Sequence, residues 1–274
     1  MPGAPGTGQR LCVYHSPSSD ATQGVPAAVL HVHPWAEEMN KSRRMAAMQS
    51  RALAAAGHAV LQIDLHGCGD SSGDFGNATW QGWVDDLVRA AHWLQQRHPK
   101  AALWLWGHRA GALLAVQAAA QLQAVCHFVF WQPATVGKPL LQQFLRLAAA
   151  AELQQGGAKG AVDKLRGELA AGRSVDVAGY TVSASLAAGL DAALLELPAR
   201  TGHVAWLEVS SREPAALLPA SALRLQAWRD GGREIDAQVV TGPSFWQTQE
   251  IEDAPALCAA TVAAVGRAGP GVPV

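Results

Sequence analysis

The stretch Leu103-Trp104-Leu105-Trp106-Gly107-His108-Arg109-Ala110-Gly111-Ala112-Leu113-Leu114 decides how this chain is read. It opens as an apolar run of strand length and closes as an apolar helix start, with two glycines bracketing the junction. That is the pattern of a nucleophile elbow, Gly-x-Ser-x-Gly. The glycines permit a sharp, strained turn from a buried strand into a helix, and the central side chain is lifted clear of the backbone. Gly107 and Gly111 keep the turn, but the central residue is Arg109. A guanidinium stays protonated and carries five donors and no lone pair, so it cannot attack an acyl carbon as a serine or cysteine does. The stretch predicts a fold and lacks the chemistry usually seated on it.

Outward from the elbow, strands alternate with helices. Upstream, residues 27–32 read as a buried strand, 38–56 as a helix stopped by Gly57, 58–64 as a second strand, 67–76 as a turn-rich loop and 80–96 as a helix. Downstream, the elbow helix runs to about Gln123 and a strand follows over 127–131. From Pro133 to about Arg200 the sequence turns helical and rich in Ala, Leu and Gln, broken by Gly156-Gly157, Gly160, Gly172 and Gly179, the length of a helical cap. The alternation resumes with a strand at 204–209, a helix at 221–230, a strand at 235–240 and a helix at 254–265. Such repetition predicts an α/β fold, a mostly parallel central sheet with helices on both faces. The expected organisation is a core over 1–132 and 201–265, a helical cap over 133–200, and a disordered tail over 266–274.

Composition narrows the function classes. With 274 residues, 49% hydrophobic and 16% charged, the chain can bury a large core without a second domain. A formal charge of −1 offers no basic field for nucleic acid or an anionic membrane. Cys12, Cys68, Cys126 and Cys258 are scattered without Cys-x-x-Cys spacing, which favours reduced thiols over a disulfide framework or a zinc site. Met1 to Arg10 has no apolar run of signal length and no segment reads as a membrane span, so a cytoplasmic location is expected. Ten tryptophans suit either dense packing or an aromatic-lined binding site.

With sheet, elbow and cap in place, the chain resembles the α/β-hydrolase superfamily over about residues 10–265. Four strings narrow the resemblance: His33-Pro34-Trp35-Ala36-Glu37-Glu38-Met39-Asn40-Lys41-Ser42-Arg43-Arg44, Asp64-Leu65-His66-Gly67-Cys68-Gly69-Asp70-Ser71-Ser72-Gly73-Asp74-Phe75, Trp131-Gln132-Pro133 and Gly242-Pro243-Ser244-Phe245-Trp246-Gln247-Thr248-Gln249-Glu250-Ile251. They look like the second of two hydrolase-like families associated with the exosortase A system. The resemblance implies a bacterial setting of exopolysaccharide synthesis and sorting of PEP-CTERM proteins. It names no substrate.

Each catalytic station of the superfamily can be located. The oxyanion donors fall on the backbone of Trp35 and Ala110, and backbone donors survive a change of side chain. The acid station falls on Glu213 in Arg212-Glu213-Pro214. The base station, in a Gly-x-x-His context, falls on Phe245, and no histidine follows His203. Without an imidazole there, nothing takes and returns the proton.

Other residues of interest have ordinary roles available. His108 fills a variable slot of the elbow and suits packing behind it. His31 and His33 share a strand face but lack further ligands, so no metal is expected. Asp64 and the loop after it read as a hydrogen-bonded turn. Cys68 is the one substitute nucleophile by chemistry, without an identifiable base.

Arg109 in a cleft needs a carboxylate partner, drawn from Glu37, Glu38 or Glu213. Such a pair either seals the site as structure or leaves the arginine set to hold an anion. Taken with the resemblance, this implies a non-catalytic, cofactor-free binding protein of the exosortase and exopolysaccharide setting, for an acyl, glycan-linked or peptide ligand or for a protein partner such as a companion hydrolase-like protein. The competing expectation is a hydrolase of esters, thioesters or amides with a non-standard nucleophile.

Overall fold

The computed structural model describes residues 1–3, 7–18, 25–153 and 160–267, of which 149–153 by backbone alone. The chain divides into two compact units. A sheet unit comprises Cys12–Ile63, Leu87–Thr135 and Glu196–Val274, and a helical unit comprises Met1–Leu11, Asp64–Asp86 and Val136–Leu195.

In the sheet unit, seven strands lie in the order β1 (Cys12–His15), β3 (Ala59–Ile63), β2 (Ala27–Val32), β4 (Ala102–His108), β5 (Cys126–Trp131), β8 (Thr201–Ser210) and β9 (Asp236–Thr241), numbered along the chain. All neighbours are parallel except β1 on β3. Every residue of β2 is buried, as a parallel strand covered on both faces requires. Helices α1 (Glu37–Ala55) and α8 (Pro255–Arg267) bring Met45, Leu53 and Leu257 into one core with Val29, Trp104, Trp106, Trp131 and Leu207 of the sheet. Helix α3 (Ala110–Ala120), which follows the elbow, is apolar nearly all round, as befits a helix with most residues buried. Of the ten tryptophans only Trp93 is not buried, so packing accounts for most of that composition.

Two details depart from the sequence reading here. Strand β1 has no counterpart in it, because four residues at an antiparallel edge carry too short a pattern to separate from loop. Strand β4, whose apolar run over 102–106 predicts an end at Trp106, continues through Gly107 and His108, which pair with Phe130 and Trp131 of β5, so the sheet runs up to Arg109 itself.

The helical unit contains α4 (Gly137–Leu153), α5 (Ala161–Ala170) and α6 (Ala184–Ala192). Ser183 caps α6, its hydroxyl oxygen accepting from Leu186 N at 3.0 Å. The stretch 133–200 is not wholly helical. Val175–Val177 (β6) and Tyr180–Val182 (β7) form a hairpin whose two turn residues, Ala178 and Gly179, both have positive φ, 49° and 83°. The β-branched Val-x-Val and Thr-Val pairs around Ala178-Gly179 are its signal. The unit also takes in Met1–Leu11 and Asp64–Asp86, tied by the buried pair of Arg10 Nε and Asp86 Oδ2 at 2.6 Å. The loop from Asp64 behaves as the turn expected: Asp64 Oδ2 accepts from Asp70 N, and the Ser71 hydroxyl donates to Asp64 O. The expected break at Gly156-Gly157 lies outside the described residues. Of the expected tail, Gly266 and Arg267 close α8, and 268–274 lie outside the described residues.

Candidate functional site

The elbow forms as its glycines require. A Cβ on Gly107 would sit 2.6 Å from Ala112 Cα, and one on Gly111 would collide with the Val32 carbonyl oxygen. Between them Arg109 takes φ 53°, ψ −117°, held by Arg109 N donating to Trp131 O at 3.0 Å and by Arg109 O accepting from Ala112 N and Ala134 N. Ala36, before α1, repeats this conformation at φ 47°, ψ −124°, and Gln132, after β5, has φ 41°. Three non-glycine residues with positive φ thus stand at the carboxyl ends of the adjacent parallel strands β2, β4 and β5. Backbone strain of this kind, at such strand ends, concentrates where a fold shapes a site.

Glu38, in the first turn of α1, partners Arg109. Its Oε1 accepts from Nε and Nη2 at 3.2 Å each, and its Oε2 accepts from Nε at 3.4 Å. Both side chains are mostly covered, 13% and 18% exposed. The guanidinium carbon also stands 5.8 Å from the centroid of the Trp246 ring. Burial pushes the Glu38 carboxyl above its ordinary value, and Arg109 pulls the other way. Of the other candidate partners, Glu37 faces Lys41 at 3.9 Å, and Glu213 lies exposed in the loop after β8 with no contact to Arg109 among the described residues.

Phe245, at the base station, is buried against His108, Trp131 and Trp246, with ring centroids 5.4, 6.0 and 5.1 Å away. The residue expected at the base station is thus part of an aromatic cluster.

The family model for serine aminopeptidase, S33, matches residues 24–161, half of the chain, including β2, β4 and the elbow. The chain belongs to this family of α/β-hydrolases. Human protein ABHD12B is 30% identical over 121 residues, 44% of this chain but only 31% of that protein's length. Among solved structures, the serine hydrolase XC6422 of Xanthomonas campestris, described as lacking a lid, aligns over 100% of this chain and 94% of its own at 19% identity and a TM-score of 0.58. Est1E of Butyrivibrio proteoclasticus, in its complex with ferulic acid, aligns over 94% and 93% at 13% identity and a TM-score of 0.60. These likenesses establish the α/β-hydrolase fold.

Around this hydrolase elbow the remaining candidates are fixed in place. Trp35 is buried just before α1, its carbonyl accepting from Glu38 N at 3.1 Å, and Ala110 is the first residue of α3. Ala110 therefore stands in the first turn of α3, where amide hydrogens lack intrahelical acceptors, while Trp35 lies just ahead of Ala36, the residue that opens α1. His108 is buried with neither ring nitrogen hydrogen-bonded, and burial, helped by His31 and Arg109, holds it well below the ordinary imidazole range. His31 lies against Trp106 and is pushed down to about 3 by burial, His33 and Arg43. His33 Nδ1 is 2.8 Å from the Pro34 carbonyl. Among the described residues no three His, Cys, Asp or Glu side chains converge as a metal site, and no helix is long and apolar enough to cross a membrane.

Burial raises the thiols of Cys126 and Cys258 to about 12 and about 11, far from thiolate chemistry. Cys68 is buried in a turn of the helical unit, its carbonyl accepting from Ser71 N. Sequence reasoning missed Glu208, a buried carboxylate on β8 that accepts from Trp206 Nε1 and Leu218 N, both at 2.9 Å. A single charge inside an apolar strand pattern is its signal, since a buried carboxylate must be hydrogen-bonded.

Proposed function

We propose that this α/β-hydrolase-family protein binds a ligand or partner at the elbow and does not perform serine-hydrolase catalysis. The observation that carries the reading is the residue on the elbow: Arg109, engaged by Glu38, occupies the place from which a nucleophile would attack. Phe245 at the base station agrees with it, since its ring packs on His108 and offers nothing that accepts a proton. The ligand classes are an acyl, glycan-linked or peptide molecule, or a companion hydrolase-like protein. The setting is the exosortase and exopolysaccharide system of a bacterial cytoplasm, to which the quoted strings of sequence point. The backbone stations at Trp35 and Ala110, with Arg109, Glu37 and Glu38, would line the binding site.

Membership of a hydrolase family favours a second reading, hydrolysis of esters, thioesters or amides by a substitute nucleophile, with Cys68 as the candidate thiol. One assay separates the two. Purified protein given p-nitrophenyl acetate and butyrate should show no turnover above the Arg109→Ala variant, and an active-site serine probe should not label it. Robust turnover abolished by Cys68→Ala would overturn the binding reading. Arg109→Ser alone should stay nearly inactive, because a serine without a neighbouring base is a poor nucleophile. Arg109→Ser with Phe245→His should recover a measurable rate.

A further inference from the structure

Glu38 engages only one side of Arg109. A guanidinium carries five N–H groups. The Nε hydrogen is shared between both Glu38 oxygens, and one Nη2 hydrogen goes to Oε1. The remaining Nη2 hydrogen and both Nη1 hydrogens have no protein acceptor among the described residues, although the side chain is only 13% exposed. The side chain is not fully covered, so the guanidinium keeps some access to solvent. A pair that merely sealed the site would turn the donors inward and satisfy them. Here Glu38 locks the Nε–Nη2 edge, the Trp246 ring stands near the guanidinium, and the Nη1–Nη2 edge is left presented on the elbow.

We infer that Arg109 is the recognition residue for a small organic carboxylate, bound end-on across Nη1 and Nη2. This rests on the binding reading above and names its ligand class. Two parallel coplanar N–H groups match the two oxygens of a carboxylate. Charge selects against a phosphate dianion, because Glu38 stands 3.2 Å from the same guanidinium and leaves the pair near neutrality. A monoanion meets less repulsion from that glutamate than a dianion does. Arginine on the strained turn is thereby explained as a fixed, planar receptor: the backbone sets its root and Glu38 sets its rotation.

The test is calorimetric titration at pH 7.5 of the full chain with butyrate, with its neutral isostere butyramide, and with inorganic phosphate. Butyrate should bind with a Kd of about millimolar order, as expected of one bidentate contact by so small a ligand, while butyramide gives no heat above dilution and phosphate binds more weakly. Arg109→Lys keeps the charge and loses the planar fork, and should weaken butyrate about tenfold. Arg109→Met with Glu38→Gln, which strands no charge, serves as a second variant and should abolish binding; circular dichroism reports whether each variant is folded. Butyramide binding as tightly as butyrate, phosphate binding tighter, or butyrate affinity unchanged in a folded Arg109→Lys or double variant would overturn the inference. Ester turnover is read separately. Butyrate binding together with turnover would sink the non-catalytic reading and leave the carboxylate site standing. No binding and no turnover would sink the carboxylate site alone.

Discussion

Arg10 and Arg109 are each held by a carboxylate, and the two pairs are built differently. Arg10 is 2% exposed and Asp86 is 0%. The Arg10 guanidinium donates from Nε to Asp86, from Nη1 to the carbonyls of Thr7 and Gln9, and from Nη2 to the Thr7 hydroxyl, while Asp86 Oδ2 also accepts from His66 N. Nearly every donor is used, and they tie the N-terminal segment to residues 64–86 of the helical unit. Arg109 leaves three donors without a protein acceptor among the described residues and is held at longer distances. Both pairs are largely buried, and burial alone does not distinguish them. The completeness of the hydrogen bonding does.

The sharpest way to break this contrast is to remove both arginines in turn. Arg10→Met should cost about 3 to 5 kcal/mol in urea unfolding, because it strands a carboxylate with no access to water. Arg109→Met should cost less, about 2 kcal/mol, since Glu38 keeps some solvent. Adding Glu38→Gln should recover part of that loss, whereas Glu37→Gln or Glu213→Gln should not. Equal losses for the two arginines would mean that Arg109 is as structural as Arg10.

A comparable effect is expected from pH. His108 and His31 are neutral in the fold because burial lowers both imidazoles. A group with a depressed folded pKa contributes stability above its unfolded pKa, near 6.5, and loses it as pH falls towards the folded value. Each histidine should therefore cost about 1.4 kcal/mol per pH unit below about 6.5. His108→Phe, which keeps a ring against Trp131, Phe245 and Trp246, should flatten the acid limb of stability between pH 6.5 and 5. Glu38 has the opposite sign. Its raised carboxyl favours the fold most below the unfolded carboxylate value and loses that advantage as pH rises through the folded one, so Glu38→Gln should steepen the same limb. The smallest effect is expected at Glu213, exposed and apart from Arg109, where Glu213→Gln should leave the urea midpoint unchanged.

The sheet is legible in sequence because parallel strands buried on both faces are short apolar runs. Ala27–Val32 reads with the bounds the structure gives it, and Cys126–Trp131 to within one residue. Edge and hairpin strands escape: β1, β6 and β7 span three or four residues and draw their identity from partners far along the chain or across a tight turn. At the site, the glycines foretell the elbow because their spacing encodes a steric demand. The choice of Glu38 over Glu37 and Glu213 is not encoded so directly. Adjacent residues on a helix point about 100° apart, and only the placement of α1 decides which carboxylate faces Arg109. The unused edge of the guanidinium has no sequence signature at all.

The elbow's shape is enforced by its neighbours rather than by its apex. Gly107 and Gly111 permit the close approaches, and the amide and carbonyl of residue 109 are engaged through main-chain atoms alone. The apex is therefore an interchangeable socket: what a new side chain disturbs there is Glu38 and not the turn. A protein with Glu38 neutralised becomes a frame on which unbranched side chains at position 109, proline and the β-branched residues apart, can be displayed from one backbone geometry, so that differences in binding report the side chain itself.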